Sequence, residues 1–324
     1  MRHPDPAEIV IVLYALSRTP ANQRNRQFRS EIEICSQSMV KLIGHRGARG
    51  LFPENTLEGF ARAVALGVDG IELDVGLTRD GVPVVCHDPA LNPDLVRGAD
   101  GRWIPDPIPL RDLTWTELQR YDIGRARPGG LIALRFPEQA QWDGVRIPRL
   151  EDALRAIPLS VIVELKTLAD RPEATAPPEL LAEAVLAAID AADATTRVTI
   201  ESFDWRGPHH IRRLRPDIKL AWLTRAETVR NARLWWDGPH PDDYGGSVAR
   251  AIAAEGGSAW APEQGDVTPE AVVEAHALGL FVLPWTVNTP GRMLELAGWG
   301  IDGFITDRPD IGRNVLMRRS QTES

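Results

Sequence analysis

Residues 42–89 read LIGHRGARGLFPENTLEGFARAVALGVDGIELDVGLTRDGVPVVCHDP, and the rest of the chain is best understood from this stretch outward. Leu42 and Ile43 end an apolar run that Gly44, His45, Arg46 and Gly47 cut off, so a buried strand stops there with a polar pair at its C-terminal edge. Asn55 to Gly67 reads as a helix: Asn55 is placed to cap it, Glu58 follows three residues on, and Gly67 stops it. Leu57, Phe60, Ala61, Val64 and Ala65 form its apolar stripe. Ile71 to Val75 then alternate strictly, which puts Glu72 and Asp74 on one face of a second strand. The turn Thr78-Arg79-Asp80-Gly81 allows only an antiparallel return, so Val82 to Cys86 is the second arm of a hairpin and brings His87 and Asp88 back toward Asp74.

The alternation of strand and helix continues to the C-terminus. Parallel strands are expected near residues 40, 70, 160, 197, 218, 258, 280 and 303, with the 82–86 arm excluded. Eight such repeats predict an α/β fold, a (β/α)8 TIM barrel with an extra hairpin strand and an insertion after the second strand. The insertion, 88–147, is rich in Pro, Arg and Gly and shows one clear helix, Trp115 to Tyr121, capped by Thr114 with Glu117 three residues on. Its place after His87 predicts that it covers the barrel mouth. The loop 234–246, with Trp235, Trp236 and Tyr244, is expected to pack against the barrel. A single catalytic domain is expected over 39–312, with a frayed tail over 313–324. Residues 1–38 are expected to be a disordered or untranslated extension, since Met39 directly precedes the first strand. Their apolar run, Ile9 to Leu16, is too short to span a bilayer and lacks the basic lead-in of a signal peptide.

With 43% apolar and 25% charged residues the composition is that of a globular domain, and 324 residues suffice for one barrel. The net charge of −8 argues against a nucleic-acid surface, which needs clustered Lys and Arg. Cys35 and Cys86 are far apart and form no CxxC pair, so neither a disulfide framework nor a zinc site is indicated; a cytoplasmic location is expected.

Two carboxylates on an inward face repel one another and lose hydration unless a cation or a hydrogen-bond network compensates them. A divalent metal is the simplest compensation, and oxygen ligands without Cys or His favour Mg²⁺ or Ca²⁺. The competing reading is a buried salt-bridge network of Glu72 and Asp74 with Arg46 and Lys166.

His45-Arg46-Gly47, Pro53-Glu54-Asn55-Thr56, Glu72-Leu73-Asp74, Thr78-Arg79-Asp80-Gly81 and His87-Asp88-Pro89 together resemble the signature of the glycerophosphodiester phosphodiesterase family, and the resemblance runs from about Val40 to Pro309. It implies that Glu164 is the third metal ligand beside Glu72 and Asp74, and that Lys166 faces the phosphate. With Arg46 it would supply positive charge, while His45 and His87 would serve as general acid and base. Phe203, Trp285 and Asn288 resemble the family's pocket wall. The expected reaction is metal-dependent hydrolysis of a small glycerophosphodiester to sn-glycerol 3-phosphate and an alcohol. The alternatives are a lysophospholipase D acting on lipid diesters and a non-catalytic barrel that binds phosphodiesters. Neither a nucleic-acid partner nor stable membrane insertion is expected.

Overall fold

Each strand of this protein alternates between residues that face surrounding helices and residues that face a shared interior. The computed structural model describes residues 40–322; the expected 1–38 extension and Cys35 lie outside the described residues. The strands are β1 Lys41–His45, β2 Gly70–Leu77, β3 Pro83–Val85, β4 Ala90–Leu91, β5 Ile108–Pro109, β6 Ser160–Leu165, β7 Val198–Ser202, β8 Lys219–Thr224, β9 Ala259–Pro262, β10 Phe281–Val282 and β11 Gly303–Thr306. Eight of them run parallel in the order β10-β9-β8-β7-β6-β2-β1-β11, while β3 pairs antiparallel with β2 as the hairpin arm. Between β10 and β11 the barrel is stitched by backbone bonds rather than a regular ladder: Asp302 N–H to the Val282 carbonyl at 3.2 Å, Ile305 to Pro284 at 2.9 Å and Val287 to Ile305 at 2.9 Å.

Residues facing the helices, such as Leu42, Ile71, Leu73, Val163 and Ile200, are fully or almost fully buried. They form one core with the helix stripes, including Phe60 and Ala63 of the helix Leu57–Ala65. Inside the barrel, Ile43, Ile162 and Ile305 pack together with Leu283 and Trp285 against them. This apolar layer fills the bore, so the barrel is packed rather than open. Among the described residues no helix is long and apolar enough to cross a membrane.

The insertion carries its own small core, in which Val84 meets Leu91, Val96, Ile104, Leu110, Leu118 and Ile147. Its helix Trp115–Leu118 has the expected capping box between Thr114 and Glu117. A second short helix, Leu131–Arg135, was not legible in the sequence because nothing polar caps it.

Three expectations are corrected and a fourth is borne out. Asn55 is not the helix cap: Thr56 is, its hydroxyl accepting from Gly59 N–H at 3.0 Å, and the third helical position is therefore Gly59 and not Glu58. The segment 280–286 keeps a regular ladder only at Phe281–Val282, since Pro284 has no N–H to donate, though the Leu283 and Trp285 amides still reach β9. The tail is not frayed: Pro309–Thr322 is a helix, with Gly312 close to Leu42 and Phe304 and Val315 buried. In loop 234–246, Trp235 and Trp236 are buried, and Trp236 stacks on Trp205 with ring centroids 4.1 Å apart, so the loop packs as expected.

Candidate active site

Because side chains repeat every second residue along a strand, the interior layer fixes what stands above it. His45 is two residues beyond Ile43, Glu164 two beyond Ile162 and Asp307 two beyond Ile305, so the polar groups occupy the next layer toward the C-terminal ends. The parallel register aligns them: His45 lies opposite Glu72, while Asp74, Glu164 and Glu201 share one rung across β2, β6 and β7. The turn after β1 needs Gly44, because a Cβ there would lie 1.9 Å from the Gly47 carbonyl oxygen. Arg46 sits at φ +50°, and its N–H donates to Glu72 Oε2 at 2.9 Å.

Glu72, Asp74 and Glu164 each offer an oxygen within 4.8 Å of the others. Burial pushes the Glu72 carboxyl well above the usual range, with Asp74, Glu201 and Glu164 adding repulsion. Burial acts the same way on Asp74, but the Arg46, His87 and Lys166 charges outweigh it and hold that carboxyl well below its ordinary value. Arg46 Nε lies 3.0 Å from Asp74 Oδ2, and Lys166 Nζ lies 2.7 Å from Glu164 Oε1 and 3.5 Å from Asp74 Oδ1. Two buried oxygens, Glu72 Oε1 and Asp74 Oδ1, have no hydrogen-bond partner. Buried carboxylate oxygens without donors are costly, and an oxygen-seeking divalent cation fits them. The salt-bridge network is therefore real but leaves the trio incompletely satisfied.

Both histidines are held by their Nδ1 atoms. His45 Nδ1 is 2.5 Å from Asp307 Oδ1, and His87 Nδ1 is 2.6 Å from Asp88 Oδ1, which leaves both Nε2 atoms for other partners. His45 Nε2 lies 3.8 Å from Glu72. Burial, joined by the Arg46 and Arg49 charges, moves the His45 imidazolium below the usual histidine range, with Asp307 opposing. Asp307 is itself pushed down to about 2 because the His45 and Arg49 contacts outweigh its burial.

A cavity of about 440 Å³ opens on these groups and is lined by His45, His87, Glu72, Glu164, Lys166 and Arg46 among others. Phe203 and Trp285 also line it, meeting edge to face with centroids 5.3 Å apart. Asn288 stands behind the wall: its Nδ2 donates to Asp307 Oδ2 at 2.8 Å and its Oδ1 accepts from the Asp307 N–H at 2.9 Å, so it positions the partner of His45.

Sequence reasoning missed four residues at this site. Asp307 and Glu201 were legible in principle as the inward positions at the ends of β11 and β7. Glu201 is buried, its Oε2 has no partner, and burial together with Glu164 and Asp74 raises its carboxyl well above the usual range. Glu54 joins Arg46 at 2.7 Å and Arg49 at 3.1 Å. Asn55, at φ +57°, donates to Asp74 Oδ2 at 2.9 Å, a direct hold on a site carboxylate that the capping interpretation had set aside.

Comparison with known proteins adds an independent line. Residues 45–311 match the glycerophosphoryl diester phosphodiesterase family. A glycerophosphodiester phosphodiesterase of Bacillus altitudinis is 32% identical over 284 residues, covering 86% of this chain and 98% of the relative. A Silicibacter pomeroyi structure assigned as a glycerophosphoryl diester phosphodiesterase superposes with a TM-score of 0.79 at 37% identity, covering 88% of this chain and 95% of that one. An Oleispira antarctica phosphodiesterase in complex with the product sn-glycerol-3-phosphate shares the fold at 21% identity, with a TM-score of 0.65 over 86% of this chain and 97% of that one.

Proposed function

Because the chain belongs to the glycerophosphoryl diester phosphodiesterase family, we propose that it hydrolyses glycerophosphodiesters to sn-glycerol 3-phosphate and an alcohol, with a divalent metal ion at Glu72, Asp74 and Glu164. The observation that supports this reading best is that the acidic trio comes together beside one cavity, lined by Glu72, Glu164 and the two carboxylate-held histidines. Mg²⁺ or Ca²⁺ bound there would neutralise the non-bridging oxygens and polarise the phosphorus.

The chain's own groups supply the rest. Arg46 is fixed by Glu54, Asp74 and its own backbone bond to Glu72, so its planar guanidinium is pre-oriented at the edge of the acidic cluster. Lys166 adds a second positive charge beside Glu164. One histidine takes a proton from the oxygen that attacks phosphorus, the water consumed in the hydrolysis entering directly or after a substrate hydroxyl, and the other gives a proton to the departing alkoxide, each imidazole held in a fixed orientation by its aspartate. Phe203 and Trp285 shape the wall against which the organic part of the substrate rests.

Release of sn-glycerol 3-phosphate from glycerophosphodiesters, measured by a coupled dehydrogenase assay, tests the proposal. Activity should vanish in excess chelator, return with added Mg²⁺ or Ca²⁺, and fall by about 10²-fold or more in His45→Ala and in His87→Ala. Tight substrate binding without turnover under every metal condition would instead make this a binding barrel.

A further inference from the structure

The cavity mouth carries more positive charge than one phosphodiester requires. Arg46 and Lys166 are committed to the floor carboxylates. Four further arginines line the same cavity: Arg49 is buried against Glu54 and Arg135 lies 3.9 Å from Asp307, while Arg171 and Arg225 enter from the loop after β6 and the end of β8. Arg171 is weakly engaged, with a single contact at 3.9 Å to Asp170 and 62% of its side chain exposed. Arg225 pairs with Glu227 at 2.9 Å, where both side chains are substantially exposed and the pair is screened by water. This concentration occurs in a chain whose net charge is −8.

The aromatic wall is also already occupied. The Arg225 guanidinium lies over the Phe203 ring, 5.2 Å from its centroid, and Phe203 in turn meets Trp285. A quaternary ammonium such as choline is recognised by free aromatic faces. Here such a cation would meet the Arg225 charge at the ring it needs.

Resting on the hydrolase reading above, we propose that the alcohol half of the substrate carries its own anionic oxygen group, a carboxylate or a phosphate monoester, which Arg171 and Arg225 bind, so that the enzyme selects anionic glycerophosphodiesters over glycerophosphocholine. The phosphodiester engages the floor of the cavity, and the second anion reaches the wall beside Phe203. Arg225 lies over that ring with its guanidinium 5.2 Å from the centroid, and a guanidinium can make two-point contact with such a group.

The test compares kcat/KM of the metal-loaded full chain on four diesters: glycerophosphocholine, glycerophosphoglycerol, glycerophosphoserine for the carboxylate and glycerophosphoinositol 4-phosphate for the phosphate. At least one anionic diester should exceed the choline diester by about tenfold or more, chiefly through KM. That advantage should shrink between about 20 and 300 mM salt. In an Arg171→Gln/Arg225→Gln variant the ratio should fall to within about threefold. Equal or better turnover of the choline diester, or an anionic advantage that persists in the double variant or at high salt, overturns the inference while leaving the hydrolase reading intact. Failure to cleave any of the four diesters overturns both.

Discussion

At the scale of single residues, the side chains that hold a catalytic group matter as much as the group itself. Asp307 stabilises the imidazolium of His45, so Asp307→Asn should lower kcat by about 10²-fold or more and move the limb of the kcat/KM profile that His45 governs to lower pH, because the anion that raises the His45 pKa is gone. A shift of both limbs upward, or a kcat left intact, would refute this role. Glu201 makes a prediction of the opposite sign. Its carboxyl is raised in the folded state, so the native protein retains a proton that the unfolded chain releases, and stability contributed by the protonated form is lost as pH rises above the unfolded value. In chelator, the stability of Glu201→Gln relative to the parent should increase as pH rises above the unfolded carboxylate value of about 4, with a slope of up to about 1.4 kcal/mol per pH unit in urea unfolding. In the sequence, His45, Arg46 and His87 stood out at the ends of apolar runs and Glu72 and Asp74 through strict alternation, while Glu164 and Lys166 were picked out by the family resemblance. Asp307 and Glu201 were passed over because each lies in a polar cluster at its strand end, where only the register with neighbouring strands separates inward from outward positions.

At the scale of elements, the insertion is a small folded unit seated on the hairpin and not a slack loop. Val84 of β3 is part of its core, so the same contacts that order the insertion also steady the strand leading to His87. Leu118→Ala, at a fully buried position in that core, should cost about 2–5 kcal/mol in urea unfolding. It should also raise KM, since the helix Leu131–Arg135 and Asp88 hang from the same unit. Hydrogen exchange confined to residues 90–147 would show that the insertion opens separately; no change there would refute the coupling. Periodicity made the barrel strands and most of the helices legible, because each buries one face against a large core. It was silent on Leu131–Arg135, which has no buried residue, and it overextended the strand in 280–286, where a proline breaks the pattern of amide donors.

At the scale of the whole molecule, the barrel depends on one weakly laddered seam. Asp302 sits at that seam: its carboxylate accepts from the Val282 N–H at 2.7 Å and pairs with His276 at 2.9 Å, and its carbonyl accepts from Lys41 N–H at 2.8 Å. Asp302→Ala should therefore lower the unfolding free energy by about 1–3 kcal/mol, with hydrogen exchange rising first at 281–287 and 303–306. Uniform loss of protection would show that the seam has no special weakness. The site itself is made of both ends of the described chain, since the His45 imidazole is completed by a carboxylate 262 positions later. A nascent polypeptide leaving the ribosome thus carries an unpartnered His45 until the strand before Asp307 has emerged, and fragments released early by stalled synthesis or proteolysis would lack that pair.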